Sequence, residues 1–138
     1  NPSDAISILE IGTQKGGSLC AWQDAFPDAK VTGVDIVDVV KPSYRRDSID
    51  YVISDIKDWK TEQTFDVIID DGSHFIADVK ETLIKFLPKL RPRGFYVIED
   101  CQSPEDWVEI LRPFIGECRM STEDLRGHYD DFLIIIQK

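Results

Sequence analysis

Missing from this chain is any apolar stretch long enough to span a bilayer; Phe132-Leu133-Ile134-Ile135-Ile136 is merely strand-sized. Missing too are a secretory signal, an internal repeat, a low-complexity tract and a linker. A membrane partner is therefore not expected, and 138 residues suffice for one domain with a real core but not comfortably for two. Cysteine is scarce. Cys20, Cys101 and Cys118 are odd in number and show no metal-ligand spacing, which reads as a reduced, cytoplasmic protein. Basic residues are outnumbered: 16 Lys and Arg against 26 Asp and Glu give a net charge of −10. That balance opposes binding to a polyanion, so no nucleic-acid partner is expected. Lys41, Arg45 and Arg46 form the only compact basic island, read as a solvated loop face. The first residue is Asn1 rather than Met, as expected of a fragment without its upstream segment.

What is present alternates between strand-like and helix-like segments. Residues 6–11 are an apolar run, 12–17 a glycine-rich turn, and 18–26 a helix with Leu19, Trp22 and Phe26 on one face, ended by Pro27. A second strand over 31–36 closes on Asp35; 37–50 is irregular; a weak third strand covers 51–54. The fourth strand is 65–70. A helix follows with Ile76, Val79, Leu83 and Leu87 on one side, and Arg91-Pro92-Arg93-Gly94 reads as a turn. A fifth strand spans 95–99 and a helix 104–114. Residues 117–121 and 131–137 suit a closing hairpin around Gly127. This order predicts an α/β, doubly wound, mostly parallel sheet with helices on both faces. In such folds ligands sit at the carboxyl ends of the strands, where every motif of interest falls.

The first motif is Glu10-Ile11-Gly12-Thr13-Gln14-Lys15-Gly16-Gly17-Ser18. Its glycines permit a tight turn and close approach of a ligand to backbone, ahead of a helix N-terminus with free N–H groups. Asp35 lies about twenty residues on, placed to accept hydrogen bonds from both hydroxyls of a ribose. A dinucleotide fingerprint wants glycine where Gln14 stands, and Glu10 disfavours phosphate. S-adenosylmethionine has a ribose and a cationic amino-acid end and no phosphate, so it fits better. A dinucleotide, or a turn with no ligand, are the competing readings.

The second motif pairs Asp70-Asp71-Gly72-Ser73-His74 with Glu99-Asp100, each after an apolar run. If those strands are neighbours they lie about 4.8 Å apart, which brings four carboxylates to one sheet edge. Carboxylates that close take up protons or are neutralised by a cation. Oxygen ligands favour Mg²⁺, with Mn²⁺ the alternative. Asp71 and His74 are three apart where strand turns into helix, so both can face one cavity. Adjacent residues in an ideal strand face opposite ways, so Glu99 and Asp100 can act together only if the strand ends or bends there. The plainer readings are a helix cap with a surface histidine, and a solvated acid pair. Asp70 reads by position as structural. One thiol, Cys101, among carboxylates is weak support for a softer metal.

Taken together, Glu10 to Leu19, Gly33-Val34-Asp35-Ile36, Ile69 to His74 and Tyr96 to Asp100 resemble class I S-adenosylmethionine-dependent methyltransferases. More narrowly, they resemble the metal-dependent sugar O-methyltransferases of the macrocin and mycinamicin type and the cephalosporin hydroxylase-like proteins. His128-Tyr129-Asp130 is similar as well, although His128 reads from its position equally as a site wall or a surface turn. The resemblance implies one methyltransferase domain over residues 1–138, with a seven-stranded sheet whose last strand is antiparallel. It implies cofactor contacts from Glu10, Gly12, Thr13, Gly16, Ser18, Asp35, Ile36, Asp55 and Asp70, with Asp55 at the adenine. It implies Mg²⁺ ligation by Asp71, Glu99 and Asp100, and His74 as the general base. Family members commonly carry an N-terminal segment and insertions that form a lid; this chain begins almost at its first strand. A lid supplied by a neighbouring copy is one arrangement left open.

The expected activity is methyl transfer to a hydroxyl of a small molecule, a sugar or glycosylated natural product. A histidine of ordinary pKa, about 6.5, suits removal of the hydroxyl proton near neutral pH. A catechol-type O-methyltransferase and a non-catalytic S-adenosylmethionine-binding or scaffold domain are the alternatives.

Overall fold

The computed structural model describes residues 5–125 and 132–138. His128, Tyr129 and Asp130, which the sequence sets near the site, lie outside the described residues, as does Gly127 of the expected hairpin turn. The strands are β1 (Ser7–Ile11), β2 (Lys30–Asp35), β3 (Ile49–Ile53), β4 (Phe65–Asp70), β5 (Leu90–Ile98), β6 (Arg119–Asp124) and β7 (Phe132–Gln137). The helices are α1 (Gly17–Ala25), α2 (Ile76–Phe86) and α3 (Pro104–Leu111). One seven-stranded sheet runs in the order β3-β2-β1-β4-β5-β7-β6. β3, β2, β1, β4 and β5 pair in parallel, and β7 is antiparallel to both β5 and β6. The expected doubly wound sheet with an antiparallel last strand is thus the one observed. Among the described residues no helix is long and apolar enough to cross a membrane.

Side-chain alternation along each strand explains why helices cover both faces. Ile8 and Ile69 point into the cluster with Leu19 and Cys20 of α1. Their chain neighbours Leu9 and Ile68 point the other way, with Tyr96, Ile98 and Ile134, into the cluster holding Leu83 of α2 and Leu111 of α3. Each fully buried Leu or Ile adds about 1.5–3 kcal/mol of burial free energy. The same alternation sorts the acids: Glu10 shares the α1 face with Ile8, and Asp70 shares the α2 face with Ile68.

Several boundaries differ from the sequence reading, among them β6, which spans Arg119–Asp124 rather than 117–121. β3 starts at Ile49, inside the stretch expected to be irregular, because Ile49 is buried against β2 opposite Val31. β5 begins at Leu90, so Arg91-Pro92-Arg93-Gly94 is not a free turn but an irregularity within a strand. Leu90 pairs with Phe65 and Phe95 with Val67, so the extra residues loop out of the ladder. Arg93 takes a left-handed φ of 66°, and a side chain at Gly94 would lie 2.7 Å from the Asp66 carbonyl oxygen. The turn chemistry is real; it serves a bulge. α2 ends in a 3₁₀ turn at Leu87–Lys89, where Pro88 is a natural helix stop, and α3 ends before its expected limit, tightening into a 3₁₀ turn at Arg112–Phe114.

Candidate active site

The sheet register assembles the site. Ile11, Asp70 and Ile98 are successive neighbours across β1, β4 and β5. The hydrogen bonding runs past the strand ends: the Gly12 N–H donates to the Val34 carbonyl, Asp71 N–H to Ile11, and Glu99 N–H to Asp70. The glycine loop and both acid loops therefore leave one edge side by side. Gly12 is held at φ 86°, and a Cβ there would fall on the Asp71 carbonyl oxygen. Only glycine permits this contact between the two loops.

Asp35 clasps the glycine loop. Its Oδ2 accepts from the backbone N–H groups of Thr13 at 3.0 Å and Gln14 at 2.9 Å, and its Oδ1 from Ile36 N–H at 2.7 Å. The carboxylate is thereby oriented: Oδ2 is taken up by the loop, with the Thr13 hydroxyl a further donor at 3.5 Å, and Oδ1 keeps acceptor capacity for a ligand hydroxyl. Glu10 lies beneath the loop, almost wholly buried, and accepts from the Ser18 hydroxyl at 2.8 Å. Burial pushes its pKa up to about 7; the Ser18 hydrogen bond opposes this, and the charges of Asp71 and Glu99 add to it. A cationic ligand group would relieve that burial.

A cavity of about 430 Å³ opens beside these groups. Of the expected cofactor residues, Gly12, Asp35, Ile36, Asp55 and Asp70 line it; Glu10, Thr13, Gly16 and Ser18 do not, since they support the loop from behind or beside it. Gln14, Ser54, Lys57, Ser73, Asp78 and Thr82 line it too, and the sequence reading assigned none of them a role in binding. Asp55 holds its own loop by accepting from Lys57 N–H at 2.9 Å. Asp70 is buried, takes a long hydrogen bond from the Tyr96 hydroxyl at 3.4 Å, and is pushed up to about 7 by burial.

The acid loops gather three groups. Asp71, His74 and Asp100 each offer a ligand atom, and these atoms lie within 4.8 Å of one another. β5 ends at Ile98 and Asp100 turns left-handed at φ 55°, so the alternation that would separate Glu99 from Asp100 no longer applies. Glu99 stands outside that threefold group, yet its charge bears on Asp71. Burial, then Glu99, then Asp100 push Asp71 up to about 7, with His74 opposing. Burial and the Asp100 charge raise Glu99 as well. Half-buried oxygen donors that repel one another form a set that a hard divalent cation would neutralise, so the residues present fit Mg²⁺. Cys101 is no part of it: burial drives its thiol up to about 12.

A profile of the family described as a methyltransferase domain matches residues 9–101, which contain all of these loops. The chain belongs to that methyltransferase family. It is 34% identical to the 8-demethyl-8-alpha-L-rhamnosyl tetracenomycin-C 2'-O-methyltransferase of Streptomyces olivaceus over 91% of this chain and 36% of that protein. It is 35% identical to the demethylmacrocin O-methyltransferase of Streptomyces fradiae, over 89% of this chain and 33% of that one. The methyltransferase chain thus spans about a third of the length of these curated relatives. Its fold matches the MycE methyltransferase of the mycinamycin biosynthetic pathway, solved with Mg, SAH and mycinamycin VI. That match has a TM-score of 0.73 and 24% identity, and covers 99% of this chain and 46% of the other. The N-methyltransferase NodS of Bradyrhizobium japonicum WM9 shares the fold too, with a TM-score of 0.70 and 18% identity.

Proposed function

We propose that this chain is the S-adenosylmethionine-binding part of an Mg²⁺-dependent O-methyltransferase acting on a hydroxyl of a sugar or glycosylated natural product. The observation that carries the reading is one sheet edge holding both an acid-walled cavity and a group of cation-capable side chains. The names of the O-methyltransferase relatives support the acceptor class.

In this reading Asp35 accepts from the ribose hydroxyls, Asp55 meets the adenine, and buried Glu10 balances the ammonium end. The cofactor supplies a methyl group already activated on a sulfonium, so the protein's work is alignment and proton removal. Asp71, Glu99 and Asp100 would hold Mg²⁺, which would supply charge neutralisation and Lewis-acid activation of the acceptor hydroxyl. His74, exposed beside Asp71, takes the proton from the attacking hydroxyl. Gln14 and Glu10 disfavour a pyrophosphate, one by bulk and the other by charge.

Calorimetric titration with S-adenosylhomocysteine, with and without Mg²⁺ and with NAD as control, tests the reading. Saturable one-site binding that NAD does not mimic is expected. A well-folded chain that ignores S-adenosylhomocysteine would sink it. With the cofactor site established, His74→Ala is expected to abolish turnover while preserving S-adenosylhomocysteine binding.

A further inference from the structure

Asp78 belongs to neither motif, yet it ties the second of them, through Ser73, to the 55–57 loop. It sits in the first turn of α2, where a negative charge is favoured by the helix dipole. One of its oxygens, Oδ1, accepts from the Lys57 ammonium at 2.9 Å; the other, Oδ2, accepts from the Ser73 hydroxyl at 2.6 Å. These contacts hold its carboxyl below the usual range, the Ser73 bond contributing most. Lys57 follows Asp55 and Ile56 in the lining of the cavity. Ser73 directly precedes His74, and its hydroxyl also accepts from Phe75 N–H at 3.3 Å. Lys85, two turns further along α2, donates to the carbonyls of Ile56 and Lys57, both at 2.7 Å. α2 is therefore a bracket: its Lys85 end holds the 55–57 loop, and Asp78 holds that loop and the 73–75 loop at once.

We infer that Asp78 is a positioning residue that sets the cofactor-side wall and the metal-side loop at a fixed separation. The inference rests on the proposed methyltransferase site. Its two carboxylate oxygens serve different loops, so the two effects are separable by substitution at one position. Asp78→Asn keeps an acceptor for Ser73 but loses the charge that holds Lys57. Asp78→Ala loses both. Lys57→Met removes only the cofactor-side tie, and Ser73→Ala only the metal-side tie. Lys57 also has Glu81 at 3.3 Å, so Asp78→Asn acts more weakly than Lys57→Met.

The experiment titrates wild type and the four variants with S-adenosylhomocysteine and, separately, with Mg²⁺, alongside thermal melts. Lys57→Met is expected to weaken S-adenosylhomocysteine about fivefold, with Asp78→Asn in the same direction, and both leave Mg²⁺ within about twofold. Ser73→Ala is expected to weaken Mg²⁺ about fivefold and leave S-adenosylhomocysteine unchanged. Asp78→Ala weakens both. A residue that merely stabilised the fold would lower the melting temperature, and Asp78→Asn, Lys57→Met and Ser73→Ala would each move both titrations in parallel, or neither; either result in these three overturns the inference. If Asp78→Ala does not fold, the split between Asp78→Asn and Ser73→Ala decides it alone. Wild type that binds neither probe fails the functional reading instead, which is a distinct result.

Discussion

Around the glycine loop the approaches are made by backbone and settled by packing. Around the acid loops they are made by charged side chains and are left in tension. Gly12 touches the Asp71 backbone, Asp35 takes up three N–H groups, and the loop is complete without a ligand. Asp71 and Glu99, on the same edge, are both pushed up by burial and by neighbouring carboxylates, Asp71 by Glu99 and Asp100, and Glu99 by Asp100. The first region is fixed by its own backbone contacts. The second is a set of mutually repelling carboxyls, which in the proposed function a divalent cation would neutralise.

The sharpest way to break the packed side is Gly12→Ala. A positive φ and overlap with backbone that cannot move aside act together, for an expected loss of about 3 kcal/mol or more. Thermal melting and S-adenosylhomocysteine calorimetry would show a destabilised chain without measurable cofactor binding. Retained binding at wild-type affinity would mean that the loop can part from the Asp71 backbone. The acid side does not depend on a single contact in this way.

Glu10 lies where the two regions meet, and it sharpens the contrast. Its carboxyl is raised from an ordinary 4.5 to about 7 by burial, with Ser18 bound to it and the charges of Asp71 and Glu99 facing it. Between those values the folded chain keeps a proton that the unfolded chain releases, so stability falls as pH rises through the window. Glu10→Gln retains an acceptor for Ser18 and removes the titration. Its advantage over wild type is expected near zero at pH 4.5 and on the order of 3 kcal/mol at pH 8. Denaturation across that range checks it; parallel stability curves would show that burial of Glu10 is not what the folded state works against. The same variant is expected to weaken S-adenosylhomocysteine about tenfold, since the cationic end loses its partner.

The strand ends and motif loops were legible in the sequence because both depend on local signals. Apolar runs that stop at Asp35, Asp70 and Ile98 mark buried parallel strands, and glycine marks the turn. The alternation rule even stated the condition for Glu99 and Asp100 to share a site, and the left-handed Asp100 meets it. What was not legible depends on register. Arg91-Pro92-Arg93-Gly94 has turn chemistry whether it closes a loop or bulges a strand, and only the pairing of Leu90 with Phe65 decides. Asp78 and Lys57 are 21 residues apart and look like ordinary surface charges; a first-turn acid four residues after His74 was the one signal available. Asp35 was read as a ribose acid, and its clasp on the loop followed only from the fold.

The division of labour at the acid edge gives the smallest and most discriminating effect. The family resemblance assigns Glu99 to the metal and leaves His74 free, whereas the side-chain geometry gathers His74 with Asp71 and Asp100 and leaves Glu99 outside. Mg²⁺ prefers hard oxygen donors over imidazole, and Glu99 already shares the field that raises Asp71. Glu99→Gln is therefore expected to weaken Mg²⁺ about tenfold, and His74→Ala less than about threefold. Mg²⁺ and Mn²⁺ titrations of both variants check this. A larger loss from His74→Ala, greatest with Mn²⁺, would place the imidazole on the ion and remove it as the base, and the proton would then need another acceptor on the same edge.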